Sequence, residues 1–210
     1  MCVILESDGT AAAVKFIRGG KKLHDRRKRF LGKIAVKRSQ TGILNPHEQD
    51  NKHLWEKIRA IDDYEAHRIS RRIVDFAKEY GAGIIVFEHL KKYRPRKSKY
   101  SAKANQRRSY WLRGRIQKYA RYKAWQEGIL TCLISPYNTS RLCHICGSEI
   151  ARYDKEPEGY RPGAPLYSCS CGKCGNADFN AAANIGKKLL SRYLKPFGKP
   201  EGVSVVQEAS

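Results

Sequence analysis

The chain has 210 residues with 42 Lys and Arg against 20 Asp and Glu, a formal charge of +22 at pH 7. That excess is far beyond what solubility requires and points to a polyanionic partner, nucleic acid in preference to a membrane surface. No stretch approaches the roughly 18 consecutive apolar residues of a membrane span, and the apolar start Cys2-Val3-Ile4-Leu5 is short, uncharged upstream and closed by Glu6, unlike a secretory leader.

A cytoplasmic location is therefore expected, and the length suffices for one compact domain plus a small insert without disulfide support. Val3 to Glu6 and Ala12 to Ile17 flank Ser7-Asp8-Gly9-Thr10. Asp-Gly between short apolar runs predicts an antiparallel hairpin. From Lys21 to Arg38 a basic segment carries Leu23, Phe30, Leu31 and Ile34 on one helical face, and Asn45-Pro46 then breaks it. Leu54, Ile58, Ile61, Ala66, Ile69, Ile73, Phe76, Ala77 and Tyr80 recur at three- and four-residue steps, predicting a long helix closed by Gly81 and Gly83. Ile84 to Phe87 is too short for a helix and reads as a strand buried on both faces, ending at Glu88.

From His89 to Gln126 there are 14 Lys and Arg and no acidic residue, with Tyr and Trp interleaved. Its first half, broken by Pro95, predicts a basic loop. Its second half, with Leu112, Ile116, Tyr119, Ala120 and Lys123-Ala124, predicts an amphipathic helix. Ile129 to Ile134 reads as another buried strand, Asp178 to Leu194 as a helix, and 196–210 as a loosely ordered tail. The order describes an α/β layer structure with an insert before its last helix.

Three features carry chemistry. Five of the seven cysteines lie between Cys143 and Cys174, a clustering that suits thiolate metal ligation in a reducing compartment; Cys2 and Cys132 sit alone in apolar runs and read as core. Cys143-His144-Ile145-Cys146 and the group Cys169, Cys171 and Cys174, separated by 22 residues, supply the two thiolate pairs that tetrahedral Zn²⁺ takes from two tight turns. Any two of Cys169, Cys171 and Cys174 can form the second pair, and C-x-x-C spacing alone favours Cys171 with Cys174. His144 reads as a bystander. The second feature is Glu88 with Asp178. A carboxylate closing an apolar strand sits where α/β proteins gather active-site groups, and Asp178 opens a helix, where its bland role is an N-cap. Together in a basic chain they suggest a Mg²⁺ site acting on phosphate. The third is the basic, aromatic segment, with Lys91, Lys92, Arg94, Arg96, Lys97, Lys99, Arg107, Arg108 and Arg113 as candidate phosphate contacts and aromatic faces able to stack on unpaired bases. Trp111, Tyr119 and Trp125 are expected to face the core.

Ile84-Ile85-Val86-Phe87-Glu88, then Asn138-Thr139-Ser140-Arg141 leading into Cys143 and Cys146, then Cys171-Gly172 followed by Asn176-Ala177-Asp178, Asn180-Ala181-Ala182 and Asn184-Ile185, resembles the C-terminal half of TnpB (insertion-sequence OrfB) proteins, relatives of type V CRISPR effector nucleases. The resemblance implies an RNase H-like (RuvC) mixed sheet over 1–140 and 176–195, with a zinc-ribbon inserted at 141–175. It implies an RNA-guided DNA endonuclease acting on DNA with a guide RNA, with Glu88 and Asp178 as the second and third of three Mg²⁺-binding carboxylates. Cys171-Gly172 matches the family's Gly-bearing second pair, which makes Cys143, Cys146, Cys169 and Cys171 the implied zinc ligands and Cys174 a spare or alternative.

The family's first acidic residue stands in a D-x-G strand just upstream of the hairpin, and the chain begins at about the second strand. The sheet is thus expected to lack its first, central strand, and Mg²⁺ chemistry to need the site completed. Asp8, on the turn, and Glu6 are poor substitutes. The competing reading is a catalytically inactive zinc-ribbon protein that binds nucleic acid, which a genuine start at Met1 would favour.

Overall fold

In the computed structural model the residues described are 1–42, 51–90, 113–157 and 159–193. The Asn45-Pro46 break, the basic loop from Lys91 and the tail from 196 lie outside them.

The hairpin forms where the Asp-Gly signal puts it. Strand β1 (Cys2–Leu5) pairs antiparallel with β2 (Ala11–Lys15), Cys2 opposite Lys15 and Val3 opposite Val14, with an irregularity after Ile4. Gly9 takes φ 84°, a conformation that glycine adopts without steric cost. Helices α1 (Gly20–Thr41) and α2 (Lys52–Glu79) follow, joined by a cluster of Ile34, Leu54 and Ile58. Strand β3 (Ile84–Glu88) then leads to α3 (Arg113–Gln126) and β4 (Leu130–Ile134), and β3 and β4 pair in parallel from Ile84 opposite Leu130 to Glu88 opposite Ile134.

The core between α2, α3 and this parallel pair consists of Val74, Ala77, Ile85, Ala120, Ala124 and Ile129. Alanines at the crossing let the two helices come close. Buried among them is a polar seam: the Lys123 ammonium donates to the His67 carbonyl at 2.7 Å and to the Ser70 hydroxyl at 2.8 Å. Burial pulls the Lys123 pKa down, with the neighbouring Arg71 charge adding to the effect. A second buried pair, Arg27 with Asp62 at 2.8 Å, ties α1 to α2. Loss of water raises the Asp62 pKa in spite of Arg27 and Arg115.

A three-stranded antiparallel sheet, β5 (Ile150–Tyr153), β6 (Leu166–Cys169) and β7 (Cys174–Asn176), carries the cysteine region. The last helix α4 (Ala177–Tyr193) packs on β1, β3, β4 and β7. Gly186 makes the approach to β1 possible, because a Cβ there would lie 2.5 Å from Leu5 Cδ1.

Several expectations are corrected. Strands β3 and β4 are not sealed on both faces. Only Ile85 of β3 is fully buried, and Leu130 and Leu133, on opposite faces of β4, are each more than half exposed. Trp125 is 76% exposed instead of facing the core; the buried stripe of α3 runs through Ala120, Lys123 and Ala124, which turns position 125 outward. Tyr119 is half-buried, its ring stacked on His67 at 3.8 Å and its hydroxyl donating to Asp63. Cys2 and Cys132 are half-buried as well.

The sheets β1–β2 and β3–β4 are not hydrogen-bonded to each other. Between β1 and β3 lies a cavity of about 670 Å³, walled by Ile73, Phe76 and Ala77 of α2 and by Ala182, Ile185 and Leu189 of α4.

Candidate functional site

The sequence Cys143 to Ser148 folds into a tight turn: the Cys143 N–H donates to the Ser148 carbonyl at 2.8 Å, the Gly147 N–H to the Cys143 carbonyl at 3.0 Å, and Gly147 has φ 77°. Cys169 to Lys173 repeats the device, with Cys169 N–H to the Lys173 carbonyl, Gly172 N–H to the Cys169 carbonyl, and Gly172 at φ 81°. The two turns face each other. All four Sγ atoms of Cys143, Cys146, Cys169 and Cys171 lie within 4.8 Å of one another, with Cys143 and Cys171 at 3.8 Å and Cys146 and Cys169 at 3.5 Å.

A tetrahedral ion with Zn–S bonds of about 2.3 Å needs sulfurs roughly 3.8 Å apart, so the donor set and its spacing fit a thiophilic ion. Hydrogen bonds from Ser148, side chain then backbone, together with Cys169, hold the Cys146 thiol down to about 6. Tyr167, under the cluster, is pushed up to about 12, by burial first and then by the nearby cysteines. Cys174 lies outside the cluster, on β7 opposite Ser168, so the C-x-x-C pairing of Cys171 with Cys174 is not the one that the fold assembles. His144 is also outside it: its backbone N–H donates to Asn180 Oδ1 at 2.8 Å, and its ring Nδ1 lies 3.0 Å from the same oxygen. Burial lowers the His144 pKa, against the hydrogen bond to Asn180, which raises it.

Glu88 closes β3. Its carboxylate accepts the Thr139 hydroxyl at 2.7 Å, and its carbonyl accepts from the Gln117 amide at 3.0 Å. Thr139 is buried in a turn where Asn138 takes φ 59°, a left-handed value that asparagine tolerates. Asn184 of α4 donates to the carbonyls of Thr139 and Leu142. Asn180 donates to Leu142, and the Lys187 ammonium to the His144 carbonyl at 2.7 Å. Helix α4 therefore holds the 139–144 segment, and that segment holds Glu88.

Asp178 sits in the first turn of α4. The helix cap is Asn176, whose Oδ1 accepts the N–H groups of Asp178 and Phe179. Asn176, not Asp178, therefore caps the helix, and the Asp178 carboxylate, 71% exposed, is ion-paired with the Arg152 guanidinium at 3.6 Å. Glu88 and Asp178 make no hydrogen bond to each other, and neither belongs to a group of three or more candidate metal ligands among the described residues. Asp8 stays on the turn, where Thr10 donates to its carboxylate through both backbone and hydroxyl; the backbone bond comes first among the causes that lower its pKa.

Lys91, Lys92, Arg94, Arg96, Lys97, Lys99, Arg107 and Arg108 lie outside the described residues, and Arg113 opens α3. Sequence reasoning missed Thr139 and Gln117 as supports of Glu88, because neither shares an element with it.

Residues 114–185 match the family model described as Cas12f1-like, TNB domain. The chain is 34% identical over 195 residues to a TnpB-like protein of Aquifex aeolicus, covering 90% of this chain and 61% of that one. The chain is related to the TnpB-like and Cas12f proteins. It is 33% identical over 157 residues to the CRISPR-associated endodeoxyribonuclease Cas12f1 of Sulfoacidibacillus thermotolerans, covering 72% of this chain and 33% of that one. It thus spans less than two thirds of the length of these relatives. Its mixed α/β fold is similar to Cas12f1 in a cryo-EM structure of a Cas12f1–sgRNA–target DNA complex, with TM-score 0.62 and 22% identity over 84% of this chain and 45% of that chain. It is also similar to the crystal structure of Alicyclobacillus acidoterrestris C2c1 with single-guide RNA, with TM-score 0.55 and 19% identity over 85% of this chain and 21% of that chain. Among the described residues no helix is long and apolar enough to cross a membrane.

Proposed function

We propose that the chain is the C-terminal nuclease portion of a TnpB-like RNA-guided DNA endonuclease, with guide RNA and DNA as partners. In this reading 1–140 and 176–195 form an RNase H-like (RuvC) domain that lacks its first strand, and 141–175 is a zinc-ribbon in which Cys143, Cys146, Cys169 and Cys171 hold one Zn²⁺. The observation that carries it is the linkage of Glu88 through Thr139 to the helix that Asp178 opens, in a chain related to nucleases of this kind. Glu88 and Asp178 would contribute two of the carboxylates that bind Mg²⁺, which polarises phosphate and activates water. The basic segment, Lys91 to Arg113, would track phosphates.

The site is completed only with a third carboxylate from a strand beside β1. Extended upstream by such a strand and supplied with guide RNA, the protein should cut DNA in the presence of Mg²⁺, and Glu88→Gln or Asp178→Asn should abolish cutting. Robust guided cleavage by residues 1 to 210 alone would mean that the first carboxylate has been misplaced. The second reading, a zinc-ribbon protein that binds nucleic acid without hydrolysis, is favoured by Asp8, whose carboxylate is engaged by Thr10 in the turn.

A further inference from the structure

Helix α3 turns rings and charges away from the core. Lys118, Arg121, Tyr122 and Trp125 recur at three- and four-residue steps and are all exposed, whereas Ala120, Lys123 and Ala124 occupy the opposite side against α2. The exposed strip continues onto α2. The Tyr122 hydroxyl lies 3.4 Å from His67 Nδ1, and Tyr64, one turn before His67, is 64% exposed. The acidic groups beside the strip are already engaged: Asp63 by Arg115 at 3.3 Å, Glu65 by Arg68 at 2.6 Å, Asp75 by Arg71 at 3.6 Å and Glu127 by Lys78 at 2.6 Å. Helix α3 has no acidic residue of its own, and Lys118 and Arg121 make no ion pair among the described residues. The strip also starts beside Glu88. Gln117, one residue before Lys118, donates to the Glu88 carbonyl at 3.0 Å, and Trp125 stands about 12 Å further along the helix axis at about 1.5 Å per residue.

We propose that this strip on α2 and α3 is a binding track for an unpaired nucleic-acid strand, with bases stacked on Trp125, Tyr122 and Tyr64 and phosphates held by Lys118 and Arg121. Charge decides the class of partner: the acids on this face are neutralised within the fold, so the surplus that remains is positive and suits a polyanion. The rings decide its form. Every base has a face that can stack on an aromatic side chain, and cations beside the rings neutralise the backbone, the combination that single strands use. A duplex hides its base faces and would gain from the cations alone. The proposal rests on nucleic acid being the partner and deepens that reading. It adds where an unpaired strand lies on this chain and that its course runs along α3 to Glu88. A displaced DNA strand and an unpaired stretch of guide RNA present the same chemistry to the strip.

The test is fluorescence anisotropy of the full chain with three labelled probes of about 15 nucleotides, a length within the range of single-strand sites: oligo(dT), an abasic strand of the same charge, and a duplex. Oligo(dT) should bind more tightly than the abasic strand. Trp125→Ala and Tyr64→Ala should each weaken oligo(dT) binding roughly fivefold or more, the consequence of losing one stacked base, and leave the abasic strand and the duplex unchanged. Trp125→Phe should recover most of the loss. Lys118→Gln combined with Arg121→Gln should instead weaken oligo(dT) and the abasic strand alike and flatten the salt slope by about 1.4, at about 0.7 per phosphate of a single strand. All four side chains are exposed, so the unfolding midpoint should stay in place. Equal affinity for oligo(dT) and the abasic strand, a loss in Trp125→Ala that is the same for all three probes, or no loss in either alanine variant would overturn the proposal. Oligo(U) beside oligo(dT) names the source of the strand: tighter oligo(dT) selects displaced DNA and tighter oligo(U) selects guide RNA, and the strip stands in both cases. Selective loss in Trp125→Ala with no cleavage by the extended protein removes the nuclease reading and leaves this one. Cleavage with no selective loss does the reverse.

Discussion

The Thr139 hydroxyl donates to the Glu88 carboxylate at 2.7 Å across 51 residues of sequence. Thr139 is 2% exposed, so the hydroxyl side of the bond is buried, and the same hydroxyl lies 3.0 Å from the Pro136 carbonyl. Thr139→Val should cost about 1–2 kcal/mol in urea unfolding of the chain, the usual consequence of removing a buried hydrogen bond. In the extended, cleaving protein it should slow hydrolysis by roughly 10- to 100-fold, as loss of a ligand-orienting partner does. Thr139→Ser should restore most of both. A Val variant that cuts at the unaltered rate would mean that Glu88 needs no such support.

The cysteine cluster predicts about one equivalent of zinc in freshly purified, reduced protein. Cys143→Ser, Cys146→Ser, Cys169→Ser and Cys171→Ser should each lower zinc retention in atomic absorption. Cys174→Ser and Cys132→Ser should not, since both lie outside the four-sulfur group. Loss on Cys174→Ser equal to that on Cys171→Ser would place the second pair elsewhere.

Binding to nucleic acid should weaken steeply as salt rises, because each neutralised phosphate steepens the dependence of log K on log salt by about 0.7 to 0.9. Replacing Lys91, Lys92 and Arg94 with Gln should flatten that slope by roughly 2 to 3. Lys123→Met should leave it unchanged, because that ammonium is buried against His67 and Ser70. A change of slope in the Met variant would show that the buried seam opens when the chain binds.

The pH dependence of stability should carry a signature of Glu127, which accepts Lys78 at 2.6 Å and Arg71 at 3.3 Å. The hydrogen bond from Lys78, then its charge, lowers the Glu127 pKa below 4.5. A carboxylate depressed on folding contributes stability that is present above the unfolded pKa and lost as pH falls through the folded one. Unfolding midpoints should therefore drop more steeply below pH 4.5 in the parent chain than in Glu127→Gln. Parallel curves for the two proteins would show that the contact is screened by solvent.

Local signals in the sequence were reliable where the cause of structure is local. Asp8-Gly9 marks the hairpin, the three- and four-residue recurrence from Leu54 to Ala77 marks α2, and the short apolar run before Glu88 marks β3. What hydropathy could not reveal is that the α2 stripe also buries Asp62 and Ser70, because their partners Arg27 and Lys123 stand 35 and 53 residues away. The same holds for Thr139, whose value to Glu88 depends on a turn folding back over β3. Cysteine spacing alone favours Cys171 with Cys174, whereas the four-sulfur group contains Cys169 and Cys171, because a C-x-x-C count ignores the turn. Gly172 closes the Cys169 turn, and Cys174 is carried off into β7. Exposure of Trp125, Leu130 and Leu133 was not legible, since it depends on which elements pack over each of them.

Helix α4 has a consequence for where the molecule can be divided. Its Gly186 face seats Leu5 of the hairpin, while Asn180, Asn184 and Lys187 fasten the stretch from Thr139 to His144 on which the cysteine region begins. One rod thus serves as keel for both parts, and a cut between them has no seam to follow. Excising the cysteine region as a cassette would strip donors from the carbonyls of Thr139, Leu142 and His144, and grafting it onto another scaffold would require that helix to travel with it.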